Sequence, residues 1–185
     1  MSSEAPNAAL ATTTVQGALS TTLSAAFDYA PASRIIEVRY TLRNGGDAPL
    51  AVFDRGDANA IAAGRHALGD VGVPSMQVDG DDVTLEHAVK PLPEGLDITS
   101  PPTPVAIEVP PGASIEGRFE FALKGTIVPK RVRWCVGVMR VGDAYLGSPQ
   151  DTNAGKLWSA SLAVVDHQQR VCTPWYDVAS AAFQD

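Results

Sequence analysis

The residues whose types and spacing could support chemistry include the charged stretch Asp54-Arg55-Gly56-Asp57, at the end of a short apolar segment. Arg55, Gly56 and Asp57 form the tripeptide that integrins bind, and Asp54 or Asp57 could pair with Arg55. Charged residues that follow a strand are typical of a solvated loop, and exposed ion pairs contribute little stability. We therefore expect Asp54, Arg55 and Asp57 to lie at an exposed rim, with partner binding as the functional alternative.

Aromatic residues near the C-terminus form a second candidate binding surface. Trp158, Trp175 and Tyr176 occur in the stretches "KLWSASL" and "TPWYDV". Exposed Trp and Tyr side chains often contribute most of the binding energy at protein interfaces. Packing into the core or onto a sheet face is the alternative for all three, and the sequence leaves both interpretations open.

The motifs of common catalytic and cofactor sites are missing. The sequence contains no G-x-S-x-G nucleophile turn and no phosphate-binding glycine loop. His66, His87 and His167 are far apart in the chain, without the close spacing of a local metal motif. We therefore expect no catalytic residues, no cofactor and no metal. A metal-dependent hydrolase that uses scattered His and Asp residues stays an alternative.

The two cysteines, Cys135 and Cys172, do not form a C-x-x-C motif. They therefore lack the spacing of zinc ribbons and thioredoxin-type redox sites. In an exported protein, a Cys135–Cys172 disulfide is expected, because disulfides persist in oxidising compartments. In a cytoplasmic protein, the expectation is two buried free thiols that pack as small apolar groups.

Composition limits the class of protein and its partners. The chain has 185 residues, a hydrophobic fraction of 45% and a net charge of −7. This length fits one domain with enough residues to bury a core. An acidic surface repels phosphate backbones, so we expect no nucleic-acid partner. The chain also has no apolar window long enough to span a membrane.

The N-terminal segment is small, polar and contains a proline, in "MSSEAPNAALATTT". It predicts a flexible tether over residues 1–14, followed by a single domain over residues 15–185. Such a segment is similar to the tether that follows an export signal or a lipid-modified cysteine in bacterial envelope proteins. We favour a periplasmic or cell-envelope location, with a lipid anchor upstream as one form of it, and keep a cytoplasmic protein as the alternative.

Hydrophobic alternation with a period of two predicts the elements that must position these side chains. In "RIIEVRYTLR", Ile36, Val38 and Tyr40 share one face, as in a half-buried antiparallel strand. The same alternation, interrupted by Gly and Pro turns, recurs along the chain and predicts about eight or nine strands. The Ala-rich residues 57–70 predict a short helix or a loop, and the proline-rich residues 90–104 predict an extended connection.

Two turn motifs carry a resemblance to a known family. The strand ending in "NGGDAPL" and the later "VPPGAS" turn are similar to those of bacterial immunoglobulin-like β-sandwich domains. The resemblance covers residues 35–54 and 105–123. It implies an all-β, antiparallel immunoglobulin-like sandwich and, by itself, no activity. Both cysteines fall late in the chain, so the Cys…Trp…Cys pattern of antibody domains is missing.

These observations predict a non-catalytic binding or structural module that engages a protein partner through loops or an edge strand. The alternative within the binding class is a proteinase inhibitor that uses the proline-rich stretch "PLPEGLDITSPPTP" as its inserting loop, because prolines reduce the ordering cost of binding. The sequence leaves the oligomeric state open.

Overall fold

The computed structural model describes residues 10–142 and 144–185, and these residues form fourteen strands, one short helix and two 3₁₀ turns. The strands are β1 (Ala11–Gln16), β2 (Thr21–Ala30), β3 (Ile35–Asn44), β4 (Leu50–Val52), β5 (Ser75–Asp79), β6 (Asp82–His87), β7 (Val105–Val109), β8 (Ser114–Ala122), β9 (Arg131–Arg140), β10 (Leu146–Thr152), β11 (Gly155–Ala160), β12 (Gln169–Cys172), β13 (Tyr176–Asp177) and β14 (Ala182–Phe183). The helix α1 spans Ala58–Ala62, and the 3₁₀ turns span Ala18–Ser20 and Leu162–Asp166. The prediction of an all-β protein is confirmed.

The first sheet contains four antiparallel strands in the order β1-β2-β3-β8. Its strands alternate between buried apolar and exposed polar residues, because one face packs on the core and the other faces water. The registers of β2 with β3 and of β3 with β8 run without interruption. The two ends of this sheet are the edge strands β1 and β8.

The second sheet is organised around β9, whose ten residues pair with β4, β6, β12 and β13. Strands β7, β11 and β10 extend the sheet beyond β4, β5 extends it beyond β6, and β14 extends it beyond β13. The β6–β9 pair is parallel, so the expectation of a purely antiparallel fold is wrong. Parallel neighbours need a long crossover, and here the chain forms β7 and β8 between them.

The two sheets face each other across one core. The inward residues include Phe27, Val38 and Phe121 of the first sheet and Val132 and Trp134 of the second, all buried. The outer face of the second sheet is also covered, because a smaller apolar cluster packs there beneath the Leu162–Asp166 turn. Residues on both faces of β9 are therefore buried.

The N-terminal tether prediction needs a correction. Residues 1–9 lie outside the described part of the chain, but β1 begins at Ala11, inside the expected tether of residues 1–14. Thr12, Thr13 and Thr14 are β-branched and pair with β2, while Val15 packs against the core. The first sheet thus begins four residues earlier than the predicted domain boundary at residue 15.

Candidate functional site

The Asp54-Arg55 pair is buried, so the expectation of an exposed rim is wrong for these two residues. Asp54 has an exposed fraction of 0%, and its Oδ1 lies 3.0 Å from Nε of Arg55. Tyr40 donates a hydrogen bond from its hydroxyl to Oδ2 of Asp54. Arg55 donates from Nη1 to the carbonyl of Gly69 at 2.9 Å. The pair therefore holds the loop after β4 in place through buried contacts.

His87 extends this buried polar network toward Trp134. Trp134 donates from Nε1 to Nδ1 of His87 at 2.9 Å, so Nε2 carries the imidazole proton. Nε2 then donates to the carbonyl of Gly72 at 2.7 Å. Both ring nitrogens are occupied, and the network ties the loop of residues 54–72 to the core.

The protonation of this network follows from its burial. Burial, followed by the negative charge of Asp54, raises the pKa of Tyr40 above its ordinary value of 10.0. Tyr40 is therefore a neutral donor at physiological pH. Burial also lowers the pKa of His87 below its ordinary value of 6.5, which favours the neutral imidazole. These groups stabilise one another within the fold.

Asp57, the last residue of the charged stretch, has a local structural role. It is the N-cap of α1, and its Oδ1 accepts hydrogen bonds from the backbone N–H groups of Asn59 and Ala60. Asp at this position satisfies donors that have no partner within the helix. Asp57 is half-buried, and partner binding by this side chain stays a prediction.

The aromatic residues near the C-terminus do not form one surface. Tyr176 is buried in the core, with its ring centroid 5.7 Å from that of Phe27. Trp158 lies half-buried on β11, where its Nε1 donates to Oε2 of Glu108 at 2.8 Å. Trp175 precedes β13, on the opposite side of β9 in the strand order. Partner binding stays a prediction for the two tryptophans, while Tyr176 presents no exposed ring.

Trp175 packs against two guanidinium groups of β9. The Cζ atoms of Arg131 and Arg133 lie 4.8 Å and 4.5 Å from the centroid of its ring. Arg131 also donates from Nε to Oδ1 of Asp82 at 2.9 Å, and Arg133 donates from Nε to Oγ1 of Thr84 at 3.1 Å. Contacts of a cation with an aromatic face are favourable. This cluster holds the segment before β13 on the sheet.

Cys135 and Cys172 form a disulfide, as predicted for an exported chain. The two residues lie directly opposite each other on β9 and β12. The disulfide therefore closes the C-terminal part of the chain onto the central strand of the second sheet.

The most exposed candidate surface is the proline loop, which we define as residues 91–104 between β6 and β7. Its first end is fixed just before the loop at Val89, which is buried. The amide of Gln168 donates to the carbonyl of Val89 at 2.7 Å and accepts from its backbone N–H at 3.0 Å. This two-way hydrogen bond holds the chain at the point where the loop leaves the sheet.

The second end of the proline loop is fastened to α1. The backbone N–H of Ala58 donates to the carbonyl of Thr103 at 2.9 Å. The side-chain amide of Asn59 donates to the carbonyl of Pro101 at 2.9 Å. Both ends of the loop are therefore held by hydrogen bonds.

Between these ends, residues 91–97 are all exposed. Leu92 and Leu96 have exposed fractions of 39% and 64%, and they flank a turn at Gly95, whose φ is +76°. The positive φ at this turn is one that glycine adopts without strain. The proline loop thus projects two apolar side chains into solvent from fixed ends, a feature that the expected extended connection did not include.

A cleft of about 240 Å³ lies beside the second half of the proline loop and is lined by Pro102, Pro104 and Glu86. Glu86 is buried, and its carboxylate pairs with Lys90 and with Arg170, whose Nε lies 2.8 Å from Oε1. The burial of this acid could not be predicted from the sequence, because Val83 and Leu85 mark the other face of β6 as the apolar one. His87 lies on the same face of β6 as those two residues, so its burial could be predicted from the alternation along the strand.

The histidines do not meet in a common site. His66 contacts the carbonyl of Arg55 through Nε2 at 3.2 Å, and His167 stacks on Tyr145 with ring centroids 4.1 Å apart. Within residues 10–142 and 144–185, no group of three or more His, Cys, Asp or Glu side chains could hold a metal ion.

The described residues contain no helix that is long and apolar enough to cross a membrane. No protein-family model matches the chain, and no curated protein or solved structure matches it at a significant level.

Proposed function

We propose that this protein is a non-catalytic binding module of the bacterial cell envelope that presents the proline loop to a protein partner. The observation that carries the proposal is the pair of exposed leucines, Leu92 and Leu96, on a loop fixed at both ends. Isolated exposed leucines are common on protein surfaces, but apolar groups clustered on one loop mark interaction sites.

Preorganisation supports binding by this loop. Pro91 and Pro93 flank Leu92, and each proline ring fixes φ of its own residue. The anchored ends and the restricted backbone reduce the conformational entropy that is lost when a partner orders the loop. A larger share of the contact free energy then contributes to affinity.

The charges on the loop indicate the chemistry of the partner. Glu94 and Asp97 lie beside the two leucines and are exposed, on a chain whose net charge is −7. A surface with an apolar pocket and a basic rim would complement them. We therefore propose a partner protein with such a pocket.

The envelope location is supported by the disulfide between Cys135 and Cys172. Disulfides of this kind persist outside the cytoplasm, where thiols are not kept reduced. The location remains part of the proposal and is tested by fractionating the native host and probing the oxidation state of the two cysteines there.

We also propose that the fold is an immunoglobulin-like variant of the two-sheet arrangement. Support comes from Asn44, which is buried where the two turn motifs of the resemblance meet. Its side-chain amide donates to the carbonyls of Ala48 and Val109, and its backbone N–H donates to the carbonyl of Ala113. The parallel β6–β9 pair departs from the antiparallel pattern of that family.

Site-specific cross-linking tests the partner proposal. A photo-reactive amino acid at position 96 is expected to capture one protein from an envelope extract in a fixed stoichiometry. The same amino acid at position 128 is the matched control, because Val128 has an exposed fraction of 79% on a different loop. Equal capture from both positions, or no capture from position 96, would contradict the proposal.

The proteinase-inhibitor alternative uses the same loop, and activity measurements distinguish it from binding to a partner that is not a proteinase. A panel of proteases is assayed with wild-type protein, with Leu96→Asp and with Val128→Asp. Inhibition that only Leu96→Asp abolishes would identify the partner as a proteinase. The hydrolase alternative is tested by elemental analysis, since a stoichiometric transition metal together with substrate turnover would contradict a non-catalytic module.

A further inference from the structure

The free edges of the two sheets differ in how open they are to strand pairing. Strand β10 contains Pro149, and its register shifts between Leu146 and Pro149, two features that obstruct edge pairing. Strand β1 borders a groove shared with the C-terminal residues 181–185. Strand β8 spans nine residues without a proline or a register shift. Within the described part of the chain, β8 is the longest uninterrupted edge.

The solvent face of β8 carries alternating charges at Glu116, Arg118 and Glu120. Arg118 pairs with Glu120 at 2.9 Å and with Glu37 of the neighbouring strand at 3.2 Å. Glu116 makes no ion pair with any described residue. The edge therefore carries Glu116, an acid without a cationic partner, next to the basic side chain of Arg118.

We propose that β8 pairs with β8 of a second copy of this chain, antiparallel and centred on Gly117, so that the two first sheets join into one. A two-fold axis at Gly117 places Glu116 opposite Arg118 of the partner subunit, and the reciprocal pair forms on the other side of the axis. Such self-complementary contacts are characteristic of two-fold dimers. Opposite charges that face each other across antiparallel strands stabilise the pairing.

Charge complementarity favours this register over its two neighbours, whose axes lie at Glu116 and at Arg118. These axes would place the two Glu116 side chains or the two Arg118 side chains opposite each other, and both arrangements are repulsive. An axis at Phe119 would pair Arg118 with Glu120 of the partner subunit, but it would place Glu116 opposite Ala122 of the partner subunit and leave its charge without a counterpart. Among these four axes, only the axis at Gly117 gives Glu116 a cation without opposing like charges.

The apolar side of the edge is compatible with the same axis. Ile115, half-buried at the edge, would lie opposite Phe119 of the partner subunit. Gly117 would face its own counterpart, and the space that a side chain at this position would occupy is filled by the Tyr40 ring. Backbone hydrogen bonds along the shared edge would supply most of the association, as in other strand-addition complexes.

A charge-swap series tested by sedimentation equilibrium decides the proposal. Wild-type protein is expected to show a concentration-dependent dimer. Glu116→Arg or Arg118→Glu alone should weaken the dimer about tenfold or more, because each change creates two like-charge pairs at the axis. The double variant Glu116→Arg/Arg118→Glu should restore it, since the opposite charges face each other again. Arg140→Glu is the control, with the same charge change at an exposed residue of the second sheet.

Each outcome of this series is decisive. A wild-type protein that stays monomeric at millimolar concentration overturns the proposal, and so does a double variant that dimerises no better than the single variants. Circular dichroism of every variant checks that the fold is retained, which is expected because these side chains are exposed. Slower hydrogen exchange at residues 114–122 on dimerisation would place the contact at β8. The inference is independent of the proline loop, and neither result changes the test of the partner proposal.

Discussion

Asp54 is a carboxylate without exposed surface, so its stability in the fold depends on its immediate neighbours. Arg55 supplies the opposite charge, and Tyr40 supplies a hydrogen bond. A buried charge costs several kcal/mol unless such partners are present. At the residue scale, the polar network therefore stabilises the fold. The loss of one side chain of the network leaves another buried polar group without its partner.

Tyr40→Phe tests this polar network by removing one hydroxyl group while the aromatic ring stays in place. The free energy of unfolding should fall by about 1–3 kcal/mol, because the buried carboxyl group of Asp54 loses a hydrogen-bond donor. Urea denaturation followed by tryptophan fluorescence measures the change. Tyr29→Phe is the control, since Tyr29 is half-buried and its hydroxyl has no partner among the described hydrogen bonds. An equal effect of both substitutions would contradict the network.

The lowered pKa of His87 predicts a dependence of stability on pH. Below about pH 6.5 the unfolded chain binds a proton at this residue and the folded chain does not, so stability falls as pH falls. Above that value both states are neutral and the contribution is constant. Between pH 6.5 and 5, His87→Gln should flatten the slope of unfolding free energy against pH, which can approach about 1.4 kcal/mol per pH unit for one group.

The matched control for the pH series is His167→Gln, a substitution on the surface. Its slope over the same interval should stay close to that of the wild type. A His87→Gln variant with an unchanged slope would show that another group causes the acid sensitivity.

At the element scale, Asn44 joins the β3–β4 turn to the β7–β8 turn. Its side chain donates two hydrogen bonds and accepts one from the backbone N–H of Gly46 at 2.9 Å. Asn44→Ala should lower the free energy of unfolding by about 2–4 kcal/mol, because buried backbone groups in two turns lose their partners. Chemical denaturation measures this, and Asn153→Ala in an exposed turn should change stability by less than about 0.5 kcal/mol.

The strands that could be predicted from the sequence are those in which apolar and polar residues alternate clearly. In the β5–β6 hairpin, Met76 pairs with Leu85 and Val78 pairs with Val83, and these apolar residues alternate with polar ones along both strands. Such pairs are separated by a short turn, so hydrophobic alternation and the Asp79-Gly80 turn define them locally.

The missed elements owe their structure to contacts made after the chain folds back. Strand β10 contains Gly147 and Pro149, which disfavour a strand, and it forms because β11 pairs with it. Strand β14 has two residues, too few for any periodicity. The parallel β6–β9 pair joins residues 49 positions apart, and alternation carries no information about direction.

The candidate site was only partly predictable for the same reason. The proline loop was detectable, since consecutive prolines without apolar alternation disfavour regular structure. The burial of Asp54 and Arg55 was not, because it depends on Tyr40 from an earlier strand and on a carbonyl at Gly69. A charged segment after a strand gives no local sign that a later loop will cover it.

At the scale of the whole molecule, the disulfide fixes strand β12 to the centre of the second sheet. The sequence separation of 37 residues predicts a contribution of about 3–4 kcal/mol in the chain-entropy description. Reduction should therefore lower the midpoint of thermal unfolding, measured by calorimetry with and without a phosphine reductant. A Cys135→Ala/Cys172→Ala variant should match the reduced protein and be insensitive to reductant. A midpoint that reduction leaves unchanged would contradict this contribution.

The scaffold separates the two surfaces proposed for interaction. The proline loop leaves the second sheet between β6 and β7, while β8 is an edge of the first sheet. The buried network fixes the loop of residues 54–72, and this loop includes α1, to which the second end of the proline loop is bonded. The core thus determines the position of the exposed leucines.

The most direct test of the central claim is calorimetric titration of the captured partner with purified protein. The wild type and Val128→Asp should bind with the same affinity, and Leu92→Asp/Leu96→Asp should bind at least about a hundredfold more weakly, the loss expected for two anchoring contacts. A double variant that retains wild-type affinity would show that the proline loop does not form the binding surface.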